Sequence, residues 1–401
     1  MTKRKILICG PPISGNKGGQ ALVSGTIKAI TASAPNAEFT LLSLQYCSDL
    51  AYSSRYGIRV IGIKHYNLPL SFIRGFILLL FKKIKLFVQL ILKTDTLLRE
   101  YVESDIILNM TGIGFHEFFG KLVIVKHALW ILPAIILRKP IIIYSQSMGP
   151  FVSRINKMLA SFCLNRVKII IARGKITRQY LIDLGISKPI YLCADSGFLL
   201  DCGKLPPEAE EMFRDDSAQS RKTCMLGVAI NDVIKTHGKD RNYPFFMGQL
   251  LDYAIKQFSV KVVFIPHSNR DVDIAKSVVE SMKFREATAQ IRSDYAAEEL
   301  KAIIGKCDLF IGSRFHAIVG ALSMCVPTIA IGWSHKYQEV MEMFGQECYV
   351  FSFQDIQLDQ VTSKIQELYV HQNEIKEHLE SCLPEIKESV LLGGRLIAAA
   401  I

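Results

Sequence analysis

Short, unbroken apolar runs recur along this chain, each ending in a glycine-rich or polar loop and leading into a helical stretch. No other feature limits the fold as much. In the first half the runs fall at 5–9, 38–44, 58–63, 105–110, 140–145, 168–172 and 189–194, with a helix expected over 19–31. A strand covered on both faces reads as continuous apolar sequence, and strands alternating with helices pair in parallel. Residues 201–223 break the pattern with a polar, charged and proline-containing stretch, the composition of a linker. The alternation then restarts, with strands at 224–230, 260–265, 307–311 and 327–331 and helices at 244–258, 271–283, 295–305 and 316–324. The expected fold is therefore α/β. It has two Rossmann-like domains facing a cleft, residues 1–200 and 224–401, joined by the 201–223 linker. The length of 401 residues agrees, since single cores stop growing at about 250–300. Helices at 359–380 and 384–400 cap the second domain or cross back to the first.

The most reactive chemistry sits in one of these βα units. Leu309, Phe310 and Ile311 form the strand, and Gly312-Ser313-Arg314-Phe315-His316 opens a small-residue helix that leads to a second strand at 327–331. Open α/β sheets bind ligands at this end of their strands. Ser313 is placed to cap the helix, whose first N–H groups favour an anion. Arg314 offers a rigid cationic fork for carboxylate or phosphate, and His316 a group able to titrate near neutrality. The combination suits an anionic substrate that needs a proton moved. A cap beside a satisfied core histidine would look the same, so the rest of the chain has to decide.

Other landmarks supply that context. They are Gly15-Asn16-Lys17-Gly18-Gly19-Gln20-Ala21-Leu22, Gln146-Ser147-Met148-Gly149-Pro150, Ala172-Arg173 with Leu184-Gly185, Asp195-Ser196-Gly197-Phe198-Leu199, and Pro266-His267 with Asp271. To these the C-terminal half adds Arg314-Phe315-His316, Val326-Pro327 and Trp333-Ser334-His335-Lys336-Tyr337. In this order the sequence resembles the polysaccharide pyruvyl transferase family over roughly residues 6–345. Phe315 stands where the family has leucine, Gly19 and Gln20 replace two acidic residues of its N-terminal loop, and Gly174 replaces an aspartate.

The resemblance implies a GT-B-like enzyme. It would move a pyruvyl group from phosphoenolpyruvate to a sugar of a cell-surface polysaccharide, or of its lipid-linked precursor, and form a pyruvate ketal. Phosphoenolpyruvate is a substrate here, and no cofactor or metal is implied. His316 would supply the proton and Arg314 would hold a donor anion, with Arg173 as a second anion clamp. Gly312, Ser313, His267, His335 and Lys336 would line the donor side, and Gly15, Asn16 and Gly18 would hold the acceptor from the first domain. A GT-B glycosyltransferase using a nucleotide sugar fits the same architecture. A non-catalytic membrane-surface protein is the alternative outside enzymes.

Charge bears on that last alternative. The chain carries 48 Lys and Arg against 37 Asp and Glu, a net +11. Residues 68–92 are long and apolar but interrupted by Arg74, Lys82, Lys83 and Lys85. Mid-span lysines cost roughly 2.5–3.5 kcal/mol each on insertion scales, which argues against a membrane span. A basic amphipathic helix on an anionic leaflet fits, with Lys93 also placed to meet lipid, and so does a core helix with snorkelling lysines. The expected location is thus cytoplasmic, peripheral at the inner face of the cell membrane. Nucleic acid is not an expected partner, because the basic residues lie in apolar sequence without interleaved surface aromatics. The ten cysteines form no Cys-x-x-Cys and fit a reducing compartment, and the apolar run after Lys5 is too short for a signal peptide. Asp271-Val272-Asp273 spells a metal motif but opens a helix, where acidic residues suit the dipole, and His116-Glu117 lacks a second histidine.

Overall fold

The computed structural model describes residues 3–81, 84–214, 223–237 and 242–401. The chain divides into two compact units. One comprises Met1–Ser14, Leu22–Leu199 and Glu388–Ile401, the other Gly15–Ala21 and Leu200–Lys387.

The sheet of the first unit contains β1 (Arg4–Cys9), β2 (Ala37–Ser43), β3 (Arg59–Gly62), β4 (Ile106–Asn109), β5 (Ile113–Gly114), β6 (Ile141–Met148), β7 (Ile169–Ala172) and β8 (Ile190–Leu192). The strand order is β3-β2-β1-β4-β6-β7-β8, with β5 paired to β6 and every pair parallel. β4, β6 and β7 are buried at every residue, as continuous apolar runs require. Leu68, Tyr101, Ile124, Ile131, Leu164 and Leu181 pack on one face of this sheet, and Leu22, Ile30, Tyr56 and Ile397 on the other. Ile397 comes from the closing helix Gln372–Ala400, whose last turns belong to this unit. There Ser389 Oγ accepts a hydrogen bond from the Ala194 amide at 3.1 Å.

The second unit is built on β9 (Met225–Ala229), β10 (Lys261–Phe264), β11 (Thr288–Gln290), β12 (Leu309–Gly312), β13 (Thr328–Gly332) and β14 (Val350–Ser352), all parallel in the order β11-β10-β9-β12-β13-β14. From β9 the chain moves outward to β10 and β11, then returns to place β12 on the other side of β9. The strand order therefore reverses between β9 and β12, the position where open α/β sheets bind ligands. Residues 201–214, a linker by composition, pack on this unit. Ala209 is buried in its core, and Glu208 accepts hydrogen bonds from the Arg292 amide (2.8 Å) and the Tyr295 hydroxyl (3.0 Å). The remainder of that stretch, 215–222, lies outside the described residues.

The 68–92 stretch forms two helices, Asn67–Leu80 and Lys85–Thr94, rather than one. Lys82 and Lys83 lie outside the described residues. The first helix buries Leu68, Ser71, Gly75 and Leu78. Buried Asp95 accepts from Ser71 Oγ at 2.8 Å, caps the following Thr96–Glu103 helix through the Leu98 amide, and pairs with Arg74 at 3.3 Å. Arg74 thus has a partner within the fold while keeping 35% of its side chain exposed. Among the described residues no helix is long and apolar enough to cross a membrane. His116-Glu117 is structural. The Glu117 carboxylate accepts from the Val152 and Ser153 amides and from Asn156 Nδ2.

Candidate active site

The loop after β12 is held from three sides. The Asn231 side-chain amide and the Tyr337 hydroxyl both donate to the Ser313 carbonyl at 2.9 Å, and the Tyr243 hydroxyl donates to Ser313 Oγ at 2.9 Å. Ser313 is buried and does not cap the helix as its position had suggested. The Phe315–Ser323 helix starts from Arg314 with no side-chain cap, because the Ser313 hydroxyl is turned toward Tyr243. The first-turn N–H groups consequently keep their orientation toward the C-terminal end of the sheet without a competing side-chain oxygen.

Arg314 meets two carboxylates. Its Nε donates to Asp271 at 2.9 and 3.1 Å, and its Nη2 reaches Asp271, Asp232 and, at 2.8 Å, Ser268 Oγ. Asp271 is fully buried, while the Arg314 side chain keeps 21% exposure. Burial works against the charged guanidinium, but the Asp271 charge, its hydrogen bond and Asp232 outweigh that and hold Arg314 above the ordinary arginine value. Burial pushes Asp271 up against the pull of Arg314. Asp271 also accepts from the His267 amide at 3.1 Å. Its place in the site is thus as the partner of Arg314. The Nη1 of Arg314 makes no hydrogen bond among the described residues.

His267 is buried, and its Nδ1–H donates to the Ile265 carbonyl at 3.0 Å, which leaves Nε2 as the acceptor. Burial lowers it from 6.5 to about 3, with the Arg314, His316 and Lys17 charges adding to the effect and the Ile265 bond opposing it. His316 is half-buried, edge-on to Phe315, and its ring lies against Gly18. Lys336 is buried with its ammonium over the rings of Trp333 (4.6 Å), Phe315 (5.2 Å) and Tyr337 (5.2 Å). His335 precedes it, with Nε2 3.8 Å from Glu339.

The Gly15–Ala21 segment belongs to this unit, not to the first as its place in the sequence suggests. Asn16 Oδ1 accepts from the Gly18 amide at 3.0 Å, Lys17 pairs with Asp294 at 2.6 Å, and Gln20 Oε1 accepts from the Ala297 amide at 2.9 Å. Gly15 is in the left-handed region at φ +65°. Gly15, Asn16, Gly18, His267, Gly312, Ser313, Arg314, His316, His335 and Lys336 thus all fall within the second unit. Arg173 does not. It is buried in the first unit, where its guanidinium meets Asp195, the Gly112 carbonyl and Ser147 Oγ. Asp232, Lys17 and Tyr243 were not anticipated as members of the group, whereas Tyr337 stands in the Trp333–Tyr337 motif. Lys17 could have been suspected from its place inside the glycine loop. Tyr243 carries no sequence signal of its role.

Known proteins bear on this geometry. The polysaccharide pyruvyl transferase profile matches residues 16–335, from the loop under His316 to the turn before Lys336. This chain belongs to the polysaccharide pyruvyl transferase family. It is similar to the amylovoran biosynthesis protein AmsJ of Erwinia amylovora, 21% identical over 425 residues and covering 98% of each chain. Two solved structures share the fold. The UDP-GlcNAc 2-epimerase of Neisseria meningitidis matches with a TM-score of 0.62, 10% identity and 99% of both chains covered. Anabaena HepE with UDP-glucose matches with a TM-score of 0.61, 12% identity and 99% and 100% covered. At those identities the likeness shows a GT-B-like fold with two Rossmann-like units and nothing about ligands. Family membership makes the chain an enzyme, a polysaccharide-modifying transferase.

Proposed function

We propose that this transferase takes its pyruvyl group from phosphoenolpyruvate and builds a pyruvate ketal on a sugar of a surface polysaccharide or its lipid-linked precursor. The observation that carries this reading is the placement of Arg314 and His316 at the β9/β12 strand reversal of a pyruvyl transferase chain. The donor carries a carboxylate and a phosphate. Arg314 Nη1, Lys17 and the first N–H groups of the Phe315–Ser323 helix are the groups suited to hold them. Lys17 is 4% exposed and pairs at 2.6 Å with Asp294, itself 70% exposed, so a bound anion would displace a carboxylate that water can solvate.

In the scheme His316 gives a proton to the donor's methylene carbon, which becomes the methyl group, and C2 becomes electrophilic. One sugar hydroxyl adds to C2 and loses its proton. Phosphate leaves with the C2–O bond pair, and a second hydroxyl adds in its place with loss of its own proton. Positioned acids of this kind contribute typically about 10²–10⁴-fold. Asp271, Asp232 and Ser268 keep the Arg314 loop in one geometry while the donor binds. No metal ion enters the scheme, and turnover is expected to survive exhaustive chelation. A lipid-linked acceptor would bring the enzyme to the inner face of the cell membrane.

Thermal shift with phosphoenolpyruvate against UDP- and GDP-sugars tests the donor. A ligand at 100 times its dissociation constant stabilises by about 2.7 kcal/mol. Stabilisation by phosphoenolpyruvate that Arg314→Ala abolishes supports the reading. Stabilisation by a nucleotide sugar alone points instead to glycosyl transfer.

A further inference from the structure

The large apolar side chains that stay exposed are distributed unevenly. Among the described residues all but Phe245, Val272 and Val370 belong to the first unit. Most of them lie on one helical layer. The Asn67–Leu80, Lys121–Ile136 and Arg154–Leu164 helices pack their inner residues into the same core on one face of the first sheet, and Ile91 of the Lys85–Thr94 helix packs beside them on Leu78 and Leu98. The outer surface of that layer shows Phe76 (55%), Leu80 (65%), Leu86 (78%), Leu122 (85%) and Met158 (64%) to solvent. Scattered single apolar residues are normal on a protein surface, whereas several on the solvent side of helices that share one core concentrate apolar surface on one layer.

The charge on the same layer says what covers it. None of these four helices contains a single Asp or Glu. They carry Lys85, Lys93, Lys126, Arg154 and Lys157, all exposed, and the acid nearest in sequence to the first two, Asp95, is buried and bonded to Ser71 and Arg74. A face for a second copy of this chain would set like charges against like. A face for an anionic lipid leaflet gains from both features, since apolar side chains enter the headgroup boundary while lysines and arginines stay at the phosphate level.

We propose that the layer formed by the 67–80, 85–94, 121–136 and 154–164 helices is a docking surface for an anionic membrane. It extends the basic 68–92 stretch, which forms the first two of these helices, to two further helical faces. The inference rests on the lipid-linked acceptor only for its purpose. Binding itself requires neither donor nor acceptor.

The test is co-sedimentation of the full chain with vesicles of phosphatidylcholine alone and of phosphatidylcholine mixed with phosphatidylglycerol, at low and high salt. Three proteins are compared, namely wild type, Lys85/Lys93/Lys126/Lys157→Gln and Leu86/Leu122/Met158→Ser. Wild type is expected to bind the anionic vesicles and to release in salt, with each basic residue near the surface worth about fivefold in partitioning. Both variants should lose at least about tenfold while keeping the wild-type thermal shift with phosphoenolpyruvate, since none of their substitutions lies in the second unit. Absence of wild-type binding overturns the proposal, and so does equal binding to neutral vesicles. A dimer in sedimentation that the serine variant disperses, with no vesicle binding, assigns the face to a second copy and overturns it as well. Vesicle binding without any response to phosphoenolpyruvate leaves the docking surface standing and removes the donor reading.

Discussion

The His316 imidazole fills the space that a β-carbon on residue 18 would need, with Nδ1 the closest atom. Glycine is therefore required at position 18 by the histidine, not by a turn. Gly18→Ala should displace the ring and, on the proposed acid role of His316, lower turnover by about 10²-fold, the usual cost of misplacing a catalytic group by about an ångström. In a His316→Ala background the same substitution should cost little more. Turnover and thermal midpoint of the two single variants and the double variant check this. A Gly18→Ala enzyme with wild-type turnover would contradict it.

Asp271→Asn should destabilise the second unit by about 3 kcal/mol, because it leaves a buried guanidinium without its bidentate acceptor. Asp232→Asn should cost less, as that carboxylate is 18% exposed against none for Asp271. The measurement is the urea midpoint at unchanged slope, together with turnover, which both variants should lower through Arg314. Equal midpoints for the two variants would show that the Arg314–Asp271 pair does not hold the loop.

Acid should weaken the fold through buried His267 and half-buried His127. Burial lowers His267 to about 3 and His127 to about 4, against an ordinary 6.5. Both are neutral in the folded chain, whereas the unfolded chain takes up protons near 6.5. Their contribution is complete above that pH and is lost as pH falls from 6.5 toward 3–4. Urea midpoints should fall between pH 6.5 and about 4.5, and His267→Gln should flatten part of that slope. An unchanged slope would mean that His267 is not buried neutral.

Much of this was legible from residue order, for definite physical reasons. Strands buried on both faces, such as Ile106–Asn109 and Leu309–Gly312, are apolar along nearly all their length and so announce themselves. Arg314 and His316 stood out because a cation and an imidazole straight after such a strand occupy the ligand end of a sheet. The edge strands Thr288–Gln290 and Val350–Ser352 did not stand out, being three residues long and only partly buried. The Gly15–Ala21 segment was read with the wrong neighbours because its contacts are distant in sequence. Gln20 meets Ala297, 277 residues on. Ser313 was read as a cap because the type fits, but capping depends on where a hydroxyl points, and Tyr243 decides that. Asp271 was read through the helix dipole, while its buried partner Arg314 could only be found in three dimensions.

Phosphoenolpyruvate as donor and His316 as its proton source can be tested together in one reaction. The most direct measurement follows phosphate release and ketal formation from phosphoenolpyruvate and an oligosaccharide acceptor in D₂O, for wild type and a folded His316→Ala. One phosphate per ketal, one deuterium in the product methyl group, and a loss of about 10²–10⁴-fold in the variant are expected. Near-normal turnover by His316→Ala, or consumption of a nucleotide sugar with phosphoenolpyruvate untouched, would contradict these assignments.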